Sequence, residues 1–377
     1  MMKRLLFILF VAGTVGWVIP ARAADQIIYI SQPKEVYIFL NNVAYARDSI
    51  TLPASVSVKI TLPIQAFENT LILREDGKRI AAFRIRRQDA GVSVEWNSTI
   101  GQGTREVTLE YLLSGLSWTP NHDMTIGDAK AETVNFNFYA QIQNSVFKLN
   151  DVTTHLIAGQ VDVSGQVGQV NAASVNQSIA GYRDDNVGTS SSVGATTIQY
   201  IYDVGKLSAD SGETLYLNLL ASDLPARRVL LWNAPSDQQV SVIYKVRNTS
   251  TVPLAAGSVR AYQNGIFIGS DPVETTPIGS EGSITVGKLQ DVRTNRAESR
   301  TAIEGISIYN TQYKVTLKLE NFSKDAVEID VVDQQNPVGE DFTFSAEPSR
   351  ETGNLLRWTV TIQPGQTQTI EYQYKTR

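Results

Sequence analysis

The sequence predicts an all-β protein of two or three tandem, antiparallel β-sandwiches of the immunoglobulin or fibronectin kind. Three observations carry this. Apolar and polar residues alternate through many short stretches, turn signals such as Asp76-Gly77, Asn264-Gly265 and Pro364-Gly365 punctuate them, and no stretch shows a capped helical stripe of ordinary length. Alternation buries one face of a strand and wets the other, as antiparallel sheets require.

The alternation is cleanest in three places. Val107, Leu109 and Tyr111 interleave with Glu106, Thr108 and Glu110. Val315, Leu317 and Leu319 interleave with Lys314, Thr316, Lys318 and Glu320. Trp358, Val360 and Ile362 interleave with Thr359 and Thr361. Trp118 and Trp358 read as core aromatics, because an indole buries a large apolar area. Arg84, Arg86 and Arg87, with Phe83 and Ile85, read as the solvent face of a strand.

Residues 1–23 read as a secretory signal: Lys3 and Arg4, an apolar run from Leu5 to Pro20, then Ala21-Arg22-Ala23 before the expected cut. The run is short for a membrane-spanning helix, and no later stretch is apolar enough to serve as one. The expected organisation is a signal at 1–23, an N-terminal β domain at 24–115, a sandwich at 116–235 with a mobile insert at 159–196, and a C-terminal sandwich region at 236–377. The insert is rich in Gly, Ser, Gln and Asn, a composition too polar to offset its ordering entropy.

One pattern recurs three times. Strands ending at Asn144-Ser145, Asn248-Thr249-Ser250 and Asn321-Phe322-Ser323 each lead into a second apolar stretch. Asn and Ser suit such a corner because their short side chains bond nearby backbone. Asn248 and Asn321 also match the N-glycosylation acceptor pattern, which stays open as the alternative.

Composition excludes several chemistries. The 377 residues include no Cys and two His, so thiol catalysis, disulfides, iron–sulfur clusters and Cys-bound zinc are out. Removing Lys3, Arg4 and Arg22 with the signal takes the formal charge from −5 to −8, which argues against nucleic acid as a partner. Ser145-x-x-Lys148 matches the spacing of penicillin-recognising enzymes but follows a strand and lacks that family's supporting motifs. His122 and His155 have no Ser–His–Asp order around them and read as exposed or structural. Asp184-Asp185, Asp330 with Asp333, and Glu340-Asp341 read as solvated surface acids, because none has the spacing of a calcium loop. No cofactor and no metal are expected. The candidate contact surface is Trp96, Tyr182, Trp232 and Tyr262, aromatics near turn residues or in the insert.

From Val107 through Leu116-Ser117-Trp118-Thr119-Pro120 the chain resembles the mucoidy-inhibitor-A-like envelope family. The similarity continues through the Asn144 corner, Pro253 to Tyr262, Gly265-Ile266-Phe267-Ile268-Gly269, Leu356 to Val360 and Pro364-Gly365. Leu62-Pro63 through Leu71-Ile72-Leu73 and Gly77 resembles the family's N-terminal β domain. Three departures stand out. The family's coiled coil between its two β regions is absent, which removes its oligomerisation mode as an expectation. His122 stands where Tyr is usual, and Leu149 where Trp is usual. The resemblance implies fold and envelope location and transfers no catalytic residue.

The functional expectation is a non-enzymatic, exported protein, periplasmic or at the cell surface, that binds or scaffolds an envelope protein or surface glycan. It is not expected to be an integral membrane protein, and self-association through sheet edges is an open mode. The alternatives are a carbohydrate-active or other hydrolase using paired carboxylates, and an outer-membrane β-barrel. Against the barrel, Lys314, Lys318 and Glu320 would face lipid.

Overall fold

Alternation is realised as burial. Along Thr311–Asn321, Val315, Leu317, Leu319 and Asn321 point inward while Lys318 lies in solvent. The structure, a computed structural model, describes residues 26–53, 57–89, 91–98, 103–127, 132–161, 199–305 and 307–377. The segment 1–23, Tyr182, Asp184-Asp185 and nearly all of the 159–196 insert lie outside the described residues. Among those described the chain is all-β with antiparallel-rich sheets; one 3₁₀ turn, Glu68–Thr70, interrupts the strands, and no α-helix occurs. No helix among them is long and apolar enough to cross a membrane.

In chain order the strands begin β1 (Gln26–Ile30), β2 (Glu35–Ile38), β3 (Val43–Pro53), β4 (Ser57–Leu62), β5 (Ile72–Glu75), β6 (Lys78–Arg79), β7 (Arg84–Gln88), β8 (Gly91–Asn97) and β9 (Thr104–Ser114). They continue with β10 (Leu116–Ile126), β11 (Thr133–Asn144), β12 (Leu149–Ala158), β13 (Tyr200–Ala209), β14 (Glu213–Asn233), β15 (Ser241–Arg247), β16 (Gly257–Gln263) and β17 (Ile266–Val273). The last are β18 (Glu281–Lys288), β19 (Val292–Ala302), β20 (Thr311–Asn321), β21 (Val327–Gln334), β22 (Glu340–Phe344), β23 (Ser349–Glu351), β24 (Leu355–Ile362) and β25 (Thr367–Thr376). The chain divides into two compact units. One comprises Met1–Gln32 with Asp48–Tyr111, the other Pro33–Arg47 with Leu112–Arg377, so the divisions fall between β1 and β2 and inside β3 and β9.

In the first unit a four-stranded sheet runs β1-β4-β8-β7, with β1 parallel to β4 and the other pairs antiparallel. Val58, Ile60, Val92, Val94 and Trp96 supply its buried side. Gly91 sits at φ 142°, and a Cβ there would lie 2.4 Å from the Leu62 carbonyl oxygen, so only glycine fits this approach. The buried Asp48 carboxylate accepts hydrogen bonds from Ser31 Oγ (2.9 Å), Tyr29 Oη (3.1 Å) and the Gln32 amide (2.9 Å). Burial and the adjacent Asp48 charge push the Tyr29 phenol up to about 12. Arg84 and Arg86 are exposed as expected, and Arg87 turns to Glu68 and to the carbonyls of Ile64 and Ala66.

The second unit contains three copies of one four-strand motif. In each, the first strand pairs with the fourth and the second with the third: β11 with β14 and β12 with β13; β15 with β18 and β16 with β17; β20 with β25 and β21 with β24. Every pairing is antiparallel. The first strand always ends at or just before the recurring asparagine. A positive-φ glycine precedes the fourth strand in each copy: Gly212, Gly279 and Gly365. Their amides donate to the carbonyls of Asn144 (2.6 Å), Asn248 (2.7 Å) and Asn321 (2.9 Å) in turn.

The asparagine side chains close the motif. Asn248 Nδ2 donates to Val252 O and Thr276 O, both at 3.0 Å, and Asn321 Nδ2 donates to Asp325 O (2.9 Å) and Ile362 O (3.0 Å). Asn144 Nδ2 reaches Phe147 O (2.8 Å) and Asp210 O (3.1 Å). One amide hydrogen thus serves the local loop while the other serves the chain near the end of the third strand. The amide oxygens accept from the backbone of Val146, Ser250 and Ser323. Ser250 and Ser323 add their hydroxyls to that oxygen, whereas Ser145 donates to Gly115 O instead. All three asparagines are buried, so Asn248 and Asn321 serve as corners and cannot accept a glycan in the folded chain.

Longer strands join the copies. β14 pairs with β11 over Glu213–Pro225, then with β15 antiparallel and β21 parallel over Ala226–Asn233. β10 bridges β11 to β16. The C-terminal core lies between the β14-β21-β24 layer and the β19-β20-β25 layer, where Trp232, Val315, Leu317, Ile329, Val331, Leu356, Trp358 and Tyr372 pack together.

Candidate functional site

The expected contact surface is corrected at two of its four residues. Trp96 is buried on the core side of β8, beside Val94 and Val92 in the alternation. Trp232 is buried in the C-terminal core, and its indole donates to Asp237 O at 2.9 Å. Each stands two residues beyond an inward aliphatic, so the strand period turns it inward whatever turn residues follow. Tyr182 lies outside the described residues. Tyr262 is half-buried on β16, its ring edge-on to Phe267 at 5.8 Å.

Tyr262 leads to a surface the sequence reading missed. Asn264 (φ 52°) and Gly265 (φ 75°) form the two-residue turn between β16 and β17. Immediately beyond it, Ile266 is 67% and Phe267 55% exposed, with Ile268 also in solvent. Three consecutive apolar residues read in sequence as a buried strand. Here they sit at the start of β17, the last strand in the hydrogen-bonded order of its sheet, and stay exposed although β18 runs beside β17 from Gly269 onward. Among the described residues this hairpin is a contiguous exposed apolar tip carrying an aromatic ring.

The titratable groups converge elsewhere, and the His155 cluster has both ring nitrogens engaged. His155 on β12 lies opposite Asp203 on β13 and Tyr37 on β2. A β-bulge between Thr154 and His155, with Gly205 at φ 75°, sets the Asp203 register. Nδ1 of His155 bonds the Asp203 carboxylate, Nε2 lies 3.1 Å from Glu35 Oε1, and the ring stacks on Tyr37 at 4.4 Å. Burial alone would raise the Glu35 carboxyl, but hydrogen bonds from Tyr37 (2.9 Å) and Arg47 (3.0 Å) outweigh it and hold it below the ordinary range. With both nitrogens engaged, the imidazole offers no free base to a substrate. It fills the space between the two carboxylates and ties three strands together.

His122 is fully buried between Phe136 and Phe138, with Nε2 2.9 Å from Ala255 O. Burial pushes it down to about 4. The expectation for Asp333 is overturned: it is buried, not solvated. Arg296 Nε lies 3.1 Å from Asp333 Oδ2, and Tyr372 Oη donates to the same oxygen at 3.0 Å. That pair holds the Arg296 guanidinium well above its usual range against the opposing effect of burial. Asp330 meets Arg357 (3.2 Å), Asp341 meets Lys375 (2.5 Å) and Glu340 meets Arg377 (3.0 Å). These acids are neutralised by bases rather than left as a cation site, and no group of three metal-ligating side chains occurs among the described residues.

Ser145 and Lys148 are likewise separately engaged, with Gly115 O and with Asp210 at 3.0 Å. The interior beneath β16 is apolar, lined by Phe136, Val246, Leu254, Val259 and Ile284 with Thr276 as its polar side chain. What the described surface carries outside these paired groups is the exposed apolar tip of the β16–β17 hairpin.

Compared with known families, residues 107–377 match the model of a domain of unknown function (DUF4139). A comparison with curated proteins finds no match.

Proposed function

The chain belongs to the DUF4139 family, and from that premise we propose that it is an exported, non-enzymatic β-sandwich protein that docks an envelope component through the β16–β17 hairpin. The mucoidy-inhibitor-A-like envelope family carries this domain, which supports the envelope reading. The observation that carries the contact surface is the exposed pair Ile266 and Phe267 at the hairpin tip, backed by Tyr262. A ring and a branched aliphatic held on a rigid turn lose little conformational freedom on binding, and aromatic residues commonly anchor interfaces. The saturated state of His155, Asp203 and Glu35 supports a tie rather than a catalytic pair.

The test is paired capture from cells with a tagged copy. The unaltered chain is expected to retain a specific envelope partner, protein or glycan. A double substitution, Ile266→Ser with Phe267→Ser, is expected to lose it at an unchanged melting temperature. Equal retention by both would remove the hairpin from the account.

A further inference from the structure

The edge strands differ in one respect. An open edge presents unpaired backbone groups to any passing strand, and proteins blunt such edges with charge, proline, bulges or brevity. β6 is two residues long and reads Lys78-Arg79; β7 carries Arg84, Arg86 and Arg87. β13 holds the bulge with Asp203 and Lys206, and β22 combines a register shift with Glu340 and Asp341. β23 spans three residues. β17 contains Pro272, and its Asp271 accepts the Thr285 amide of β18 at 2.7 Å. β19 sets Arg296, Glu298 and Arg300 opposite Leu317, Val315 and Tyr313, on the face of the sheet that β20 buries.

β1 has none of these. Gln26-Ile27-Ile28-Tyr29-Ile30 holds no charge, no proline and no bulge, and among the described residues it pairs only with β4, at the end of its sheet. Ile28 is 68% and Ile30 66% exposed, on one face. The Ser31 amide bonds Thr61 O on the β4 side, so by alternation the amides of Tyr29 and Ile27 also face β4. Those of Ile28 and Ile30 point to the open side.

We infer that the open edge of β1 pairs antiparallel with the same edge of a second copy of this chain, centred on Ile28. The strand is self-complementary about that residue. Ile28 meets its own counterpart and Gln26 meets Ile30, so no like charges oppose each other. The exposed isoleucines of both copies then merge into one apolar stripe across the joined sheets. An edge pairing of this size buries less than about 1,000 Å² and gives a weak dimer. The inference rests on β1 alone and is independent of the hairpin reading.

The chain has no cysteine, so single substitutions report the register directly. A symmetric pairing centred on Ile28 places the two Cα atoms of residue 28 about 5.5 Å apart, within disulfide range. Under mild oxidation the full chain carrying Ile28→Cys is expected to form a disulfide dimer several-fold more readily than Ile30→Cys, whose opposite residue is Gln26. It should also exceed Phe267→Cys, which samples the other apolar surface. A single cysteine cannot cross-link within one chain, which separates a second copy from a segment of the same chain. Ile28→Lys, at an exposed position, is expected to leave the melting temperature unchanged and to shift sedimentation to monomer. Equal cross-linking of all three cysteine variants, none at residue 28, or a dimer unaffected by Ile28→Lys would overturn the inference.

Discussion

The side-chain amide of Asn321, at the end of β20, donates to the carbonyl of Ile362, at the end of β24, across 3.0 Å. Asn248 makes the equivalent bond to Thr276 O, and Asn144 bonds Asp210 O in the same position of its copy. The first and third strands belong to different pairings of the motif. Each asparagine therefore links two pairs that share no ladder hydrogen bond with one another.

Asn321→Asp keeps the shape and removes both donors, leaving a carboxylate against the Asp325 and Ile362 carbonyls. The expected cost is about 2–4 kcal/mol, since an unsatisfied buried polar group costs about 1–3 kcal/mol and more when charged. Urea unfolding measures it. Asn295→Asp, at an exposed position on β19, should change stability by less than about 0.5 kcal/mol.

Arg296 on the edge strand β19 pairs with the buried Asp333 on β21. Arg296→Met strands the fully buried Asp333 carboxylate and is expected to cost about 3 kcal/mol or more. Combining it with Asp333→Leu should recover much of that loss, because the burial penalty of the carboxylate disappears with it. A double-mutant cycle in urea reads the coupling. A double variant as unstable as the sum of the singles would contradict the reading. The double variant should also aggregate more readily, since Arg296 is one of the charges on β19 that block its edge.

His122 makes stability depend on pH with a definite sign. Its folded-state value is pushed down to about 4, against about 6.5 when unfolded. Between those values the unfolded chain binds the extra proton, so this group destabilises the fold progressively as pH falls from about 6.5 to about 4, by about 3 kcal/mol in total. Above that window it contributes nothing. His122→Phe loses the bond to Ala255 O at every pH but should remove this acid-dependent component. Unfolding free energies at pH 7 and pH 4.5 should therefore differ less for the variant than for the unaltered chain.

Much of the architecture is legible as period two plus a repeated corner. Asn144, Asn248 and Asn321 mark all three copies, because each must satisfy backbone groups that no strand ladder reaches. The same period already held the corrections. Trp96 follows Val94, Trp232 follows Leu230 and Asp333 follows Val331 at two residues' distance, so alternation turns all three inward. The turn residues near the two tryptophans and the charge of Asp333 point the other way. The hairpin tip was hidden for the opposite reason. Ile266-Phe267-Ile268 looks like buried strand, and its exposure comes from its place beside the Asn264-Gly265 turn, on the last strand in the order of its sheet. Asp203 reaches His155 through a bulge at Gly205, a placement no spacing rule yields.

A photo-reactive residue placed at Phe267 of the tagged chain, activated in living cells, tests the binding account most directly. The account predicts a discrete adduct that disappears when Ile266→Asp is added and is absent when the probe replaces Val338, a more exposed apolar residue elsewhere on the chain. No adduct at position 267, or the same adducts at both positions, would contradict it.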